Sequence, residues 1–142
     1  MSDATIDDWT RLCALIDDDP ELAPGVREAI DDDPWGALID GLDECGALAY
    51  LDWKDGGMQL ADALPQLPRV FRTGADLDEV GDVDALEAAI VRADEFLAPH
   101  GLRIIRLEED SDAHPLVVVP TANVAEIVEL AAKLGHEART FS

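Results

Sequence analysis

Leu116-Val117-Val118-Val119 is an unbroken apolar run rich in β-branched residues. Such a run suits a strand covered on both faces. It closes the stretch Leu102 to Pro120, LRIIRLEEDSDAHPLVVVP, which reads as two strands, Leu102–Leu107 and Leu116–Val119, joined by a polar loop. Whatever else the chain forms must supply layers that cover this pair. The remaining elements follow from hydrophobic period and from helix start and stop signals.

Trp9, Leu12, Cys13 and Ile16 share one helical face, so a first helix is expected from about Thr5 to Ile16. The pentapeptide Ile16-Asp17-Asp18-Asp19-Pro20 then returns as Ile30-Asp31-Asp32-Asp33-Pro34. Asp19 and Asp33 suit N-caps and the prolines suit the first helical position, where no amide hydrogen is needed. Helices are therefore expected over about Pro20–Ile30 and Pro34–Glu44, the latter stopped by Gly46. Ala47–Trp53 reads as a strand, and Met58–Leu64 as a short helix. Pro65 to Gly81, with two prolines and two glycines, reads as irregular and is the candidate mobile loop. Asp82–Leu97 reads as a helix capped by Asp82. Asn123 and Glu126 form a capping-box pattern for a last helix that Gly135 ends, and His136–Phe141 reads as an edge strand.

The fold expected is α+β. A small three- to four-stranded, mostly antiparallel sheet has helices packed on one face and an N-terminal three-helix segment. At 142 residues the chain reads as a single domain, with an acidic helical part over 1–46 and an α+β core over 47–142.

Charge narrows the function classes. With 32 acidic against 10 basic residues the net charge is −22. Residues 1–46 hold 14 acids and 2 bases. Such a surface repels nucleic acid and anionic membranes and attracts basic partners. No apolar run reaches the length of a membrane span, and the acidic start MSDATIDDW lacks the basic and apolar regions of a signal peptide. A cytoplasmic location is expected, with Cys13 and Cys45 as reduced thiols.

Three constellations carry candidate chemistry. The loop from Glu108 to His114 groups carboxylates with an imidazole, and Glu108, Asp110, Asp112 and His114 are the candidate ligands for a divalent cation. The loop lacks the glycine and closing glutamate of an EF-hand. Otherwise no cofactor is expected. The acidic runs, through Asp17, Asp18, Asp31 and Asp32, are the candidate steering surface for a basic protein. Trp35 and Trp53, with Lys54 beside the latter, are the candidate docking anchors. Ser and His nucleophile motifs, a Walker loop, HExxH and CxxC are all absent, so no catalytic residue is assigned and an enzyme is not expected.

The segment Tyr50-Leu51-Asp52-Trp53-Lys54, the Asp110-Ser111-Asp112 hairpin and the order of elements from Gly46 to Gly135 resemble an uncharacterised family of bacterial domains of unknown function. That family implies no established activity or catalytic residue. In style, though not in any shared motif, the chain is also similar to acidic immunity proteins of bacterial toxin systems. The function expected is a non-enzymatic acidic protein that neutralises a basic partner such as a nuclease toxin. The alternatives are a salt-adapted housekeeping domain, or a small metal-dependent enzyme or sensor built on residues 108–114.

Overall fold

The computed structural model describes residues 3–17, 19–52, 54–109 and 113–141. The fold is α+β. Among the described residues the α-helices are α1 (Asp3–Ile16), α2 (Leu22–Glu28), α3 (Pro34–Glu44), α4 (Gly57–Ala63), α5 (Pro68–Thr73), α6 (Leu86–Leu97) and α7 (Val124–Lys133). The strands are β1 (Ala49–Leu51), β2 (Leu102–Leu107), β3 (His114–Pro120) and β4 (Ala138–Thr140). They form one sheet in the order β1-β3-β2-β4, with every pairing antiparallel.

The hairpin of β2 and β3 is the centre of this sheet, with Ile104 opposite Val118 and Ile105 opposite Val117. Because side chains alternate across a strand, neighbouring residues feed two separate cores. Ile105, Leu107, Val117 and Val119 face α1, α2, α3 and α7. Leu102, Ile104, Leu116 and Val118 face the layer of α4, α5 and α6. Helices therefore cover both faces of the sheet, where the sequence suggested one. From His114 to Val119 every residue of β3 is buried, and Leu116 to Val119 divide between the two cores, roughly 1.5–3 kcal/mol per large apolar side chain.

The stretch expected to be irregular is part of the second core. It contains α5 and a 3-10 turn at Asp78–Asp82, and Leu67, Val70, Leu77 and Val80 are all buried. Gly57 makes this packing feasible. A Cβ there would run into the carbonyl oxygens of Val80 and Val83, so only glycine lets α4 lie against that turn. From α5, Arg69 Nη1 donates to the carbonyls of Ile16 (2.7 Å) and Val118 (3.0 Å). It thereby fastens the end of α1 and strand β3 to the opposite layer.

Three expected caps, Asp82, Asn123 and Asp19, do not cap the helices they were read with. Helix α6 begins at Leu86, with Ala85 before it and Asp82 back in the 3-10 turn. Asn123 makes no side-chain capping bond. Its amide donates to the Leu15 carbonyl at 3.0 Å, and Glu126 is held by both Nε and Nη2 of Arg11 at 2.8 and 3.0 Å. The tertiary contact between α1 and α7 takes both groups, and Lys133–Asp8 at 2.8 Å adds a second tie between these helices. Asp19 likewise accepts from the Glu21 amide at 2.9 Å, outside α2, which starts later than expected. Asp33 does cap α3, accepting from the Gly36 amide at 3.0 Å.

A candidate acidic groove at the Trp35–His136 stack

The Asp33-Pro34 start fixes the first turn of α3 and delivers Trp35 to the core. Trp35 is 4% exposed. Its indole N–H donates to the Glu108 carbonyl at 2.8 Å, which pins the residue just past β2. At the other end of the chain, α7 closes in a Schellman motif. The His136 amide donates to the Ala131 carbonyl at 2.8 Å and the Gly135 amide to Ala132 at 3.1 Å, with Gly135 at φ +87°. That turn lays the His136 imidazole flat on Trp35, centroids 4.5 Å apart and planes 2° apart. Trp9 from α1 meets both rings edge-on, at 6.3 Å and 5.8 Å. Burial depresses the His136 pKa, while the Asp33 carboxylate opposes that shift. At neutral pH the stack therefore contains an uncharged imidazole.

An open groove of about 710 Å³ lies over this cluster, lined by Asp33, Glu108, Glu109, Glu137, His136 and the edge of Trp35. The acids come from three places: the cap of α3, the end of β2 and the approach to β4. Arg106 faces Glu108 at 3.5 Å, and Glu109 accepts from the Tyr50 hydroxyl. Asp33 and Glu137 have no ion pair among the described residues. The groove can thus take a positively charged side chain against Glu137 and the α3-capping Asp33, neither of them ion-paired among the described residues, with aromatic rings beneath.

The remaining sequence candidates are dispersed. Trp35, expected as a docking anchor, belongs to the core: it is 4% exposed, stacks on His136 and gives its N–H to the Glu108 carbonyl. Trp53, Asp18, Asp110 and Asp112 lie outside the described residues. Lys54 sits 3.9 Å from Asp52, with both side chains exposed. Asp31 and Asp32 are exposed and Asp17 is half-buried. His114 is drawn into β3, opposite Leu51, and is 8% exposed. Of the candidate metal ligands only Glu108 and His114 are therefore described, and Glu108 faces Arg106.

A different trio converges. One ligand atom each from Asp17, Asp19 and Cys45 lies within 4.8 Å of the others, where the ends of α1 and α3 meet. Burial, and then the Asp17 carboxylate, push the Cys45 thiol up to about 11. The thiol faces Asp17 Oδ2 at 3.7 Å and the Leu42 carbonyl at 3.4 Å. A cation would have to displace that proton to gain a thiolate ligand. Sequence spacing gave no warning of this trio or of the His136 stack, since each joins residues far apart in the chain.

Over residues 8–141 the chain matches the family profile described as Domain of unknown function (DUF6630). The chain is a member of that family. No curated protein and no solved structure matches it. The match runs from within α1 through the central hairpin to β4, more of the chain than the Gly46–Gly135 stretch over which a resemblance was expected. Membership in the DUF6630 family brings no activity with it, so function has to be argued from the site. Among the described residues, no helix is long and apolar enough to cross a membrane.

Proposed function

We propose that this DUF6630 protein is a non-enzymatic binding protein whose acidic surface takes a basic protein partner, in the manner of an inhibitor or immunity protein. The observation that carries the reading is the groove beside Trp35 and His136, lined by Asp33 and Glu137, neither of which has an ion pair among the described residues. The exposed Asp31 and Asp32 next to Asp33 extend that negative field along the loop before α3. A charge of −22 attracts any cation over a Debye length of about 10 Å at moderate salt. The groove adds a place for that attraction to become a contact. Long-range attraction sets the association rate, and side chains seated between the carboxylates set the residence time.

A lysine-rich peptide is the probe. Glu109→Gln with Glu137→Gln removes two groove carboxylates. Glu87→Gln with Glu129→Gln removes two exposed carboxylates of α6 and α7 that do not line it. Net charge changes equally in the two variants, so a larger affinity loss in the groove variant supports a local site and equal losses argue against one.

A further inference from the structure

His136 is the residue in the groove wall whose charge changes between about pH 5 and 8. It lines the groove together with Asp33, Glu108, Glu109 and Glu137. Two ties hold its ring there. The Schellman turn after α7 fixes its backbone. Trp35, itself anchored to the Glu108 carbonyl, lies flat against the imidazole at 4.5 Å, and Trp9 meets the ring edge-on at 5.8 Å. An indole face attracts an imidazolium and stacks on a neutral imidazole, so the ring keeps this position in both protonation states. Protonation therefore changes the charge of the groove wall and leaves its shape. Charged groups surround the ring from each element packed on it. Asp33 stands at the cap of α3, Glu108 and Glu109 follow β2, and Glu137 is the next residue in the chain. Arg106 is 3.5 Å from Glu108. On the side of α1 and α7, Asp8 and Lys133 are paired with each other at 2.8 Å. Burial holds the ring neutral at pH 7 against the pull of the Asp33 carboxylate.

We propose that His136 gates this groove by pH: uncharged, it admits a basic partner's cation beside Asp33 and Glu137, and protonated, it sets a positive charge of the chain's own among the same carboxylates and repels that cation. This rests on the binding reading above and names its regulation. The complex is then firm at neutral pH and loosens in mild acid, before the groove carboxylates themselves become protonated. By linkage the effect runs both ways, so a cation seated in the groove makes His136 harder to protonate.

The lysine-rich peptide is titrated into the unaltered chain and into His136→Phe at about pH 8 and about pH 5, the limits between which a histidine titrates. The imidazole Cε1–H signal of His136 is followed by NMR against pH, with and without saturating peptide. Repulsion between two unit charges about 7 Å apart near a protein surface predicts binding about three- to tenfold weaker once the ring is protonated. The same ratio should appear as a drop of about 0.5–1 pH unit in the midpoint of the His136 signal when peptide is bound. His136→Phe keeps a ring against Trp35 and should lose most of the pH dependence, the remainder being titration of the carboxylates. The NMR titration needs no variant and decides the case if His136→Phe folds poorly. Equal pH dependence in the two proteins, with the His136 midpoint unmoved by peptide, would overturn the gate and leave the binding reading standing. No binding of the peptide at either pH in low salt would overturn both.

Discussion

Asp94 is the charged residue whose removal the fold should tolerate least. It lies on α6 at 2% exposure. Its Oδ1 accepts from the Ile104 amide at 2.9 Å, and its Oδ2 pairs with Arg103 Nη2 at 2.8 Å. The Ile104 amide points to the same side of β2 as Arg106, and the pairing with β4 ends at Ile105–Thr140. Asp94 thus completes the ladder where the neighbouring strand runs out. Asp94→Ala leaves that amide without a partner, at a cost of about 1–3 kcal/mol. It also strands the Arg103 guanidinium. Breaking a fully buried pair costs about 3–5 kcal/mol, but the Arg103 side chain is 23% exposed and recovers part of this through water. The expected loss is about 2–4 kcal/mol, a large share of the roughly 5–15 kcal/mol that holds a domain folded. Urea unfolding measures it as a lower midpoint at unchanged slope. Asp94→Asn keeps an acceptor for Ile104 and should lose about half as much. Arg103→Met in the Asp94→Ala background should recover stability, since the stranded charge goes with it. A loss under about 0.5 kcal/mol, the range of an ordinary surface change, would refute this account of the β2–α6 contact.

Two further outcomes concern the titrating groups. His136 has a folded pKa below its ordinary 6.5 because it is buried. The unfolded chain then binds more protons in that window, so stability should fall as pH drops below about 6.5 and be unaffected above it. His136→Phe, which keeps a ring against Trp35, should flatten the decline, and an identical pH slope in both proteins would contradict the assignment. For Cys45, a thiol pKa of about 11 predicts slow alkylation near neutral pH that accelerates steeply with alkalinity and speeds up in Asp17→Asn. Rapid labelling at neutral pH in the native protein would contradict it.

What could be read from the sequence was what is fixed locally. The β-branched run at Leu116–Val119 pointed to a doubly covered strand and proved to be one. Asp33-Pro34 marked the start of α3, and Gly46 and Gly135 marked helix ends through their left-handed backbones. Where tertiary contact decides, local signals misled. Asn123 and Glu126 look like a capping box, but α1 offers each a partner of its own in Leu15 and Arg11. The prolines and glycines of residues 65–81 suggested a loose segment, whereas Leu67, Val70, Leu77 and Val80 carry enough apolar surface to pack it down. Cover on both faces of β3 was legible in that run, but which helices supply it follows from what the alternate residues of β2 and β3 meet, and helices were expected on one face only. The acidity of the site was legible and its shape was not. Asp33, Glu108 and Glu137 meet only because Trp35 bonds to the Glu108 carbonyl and the turn after α7 stacks His136 on that ring.

The central claim is that the groove, and not net charge alone, receives a basic partner. Titration of the lysine-rich peptide into three proteins tests it most directly: the unaltered chain, Glu109→Gln/Glu137→Gln, and Glu87→Gln/Glu129→Gln. Exposed charge pairs contribute about 0.2–1 kcal/mol each. The groove variant loses two such contacts and should therefore bind about two- to thirtyfold more weakly, and more weakly than the control, with a shallower salt dependence. The control variant should stay within about twofold of the unaltered chain. Equal weakening in both variants would show that the peptide reads only total charge, and would contradict a built site at the Trp35–His136 groove.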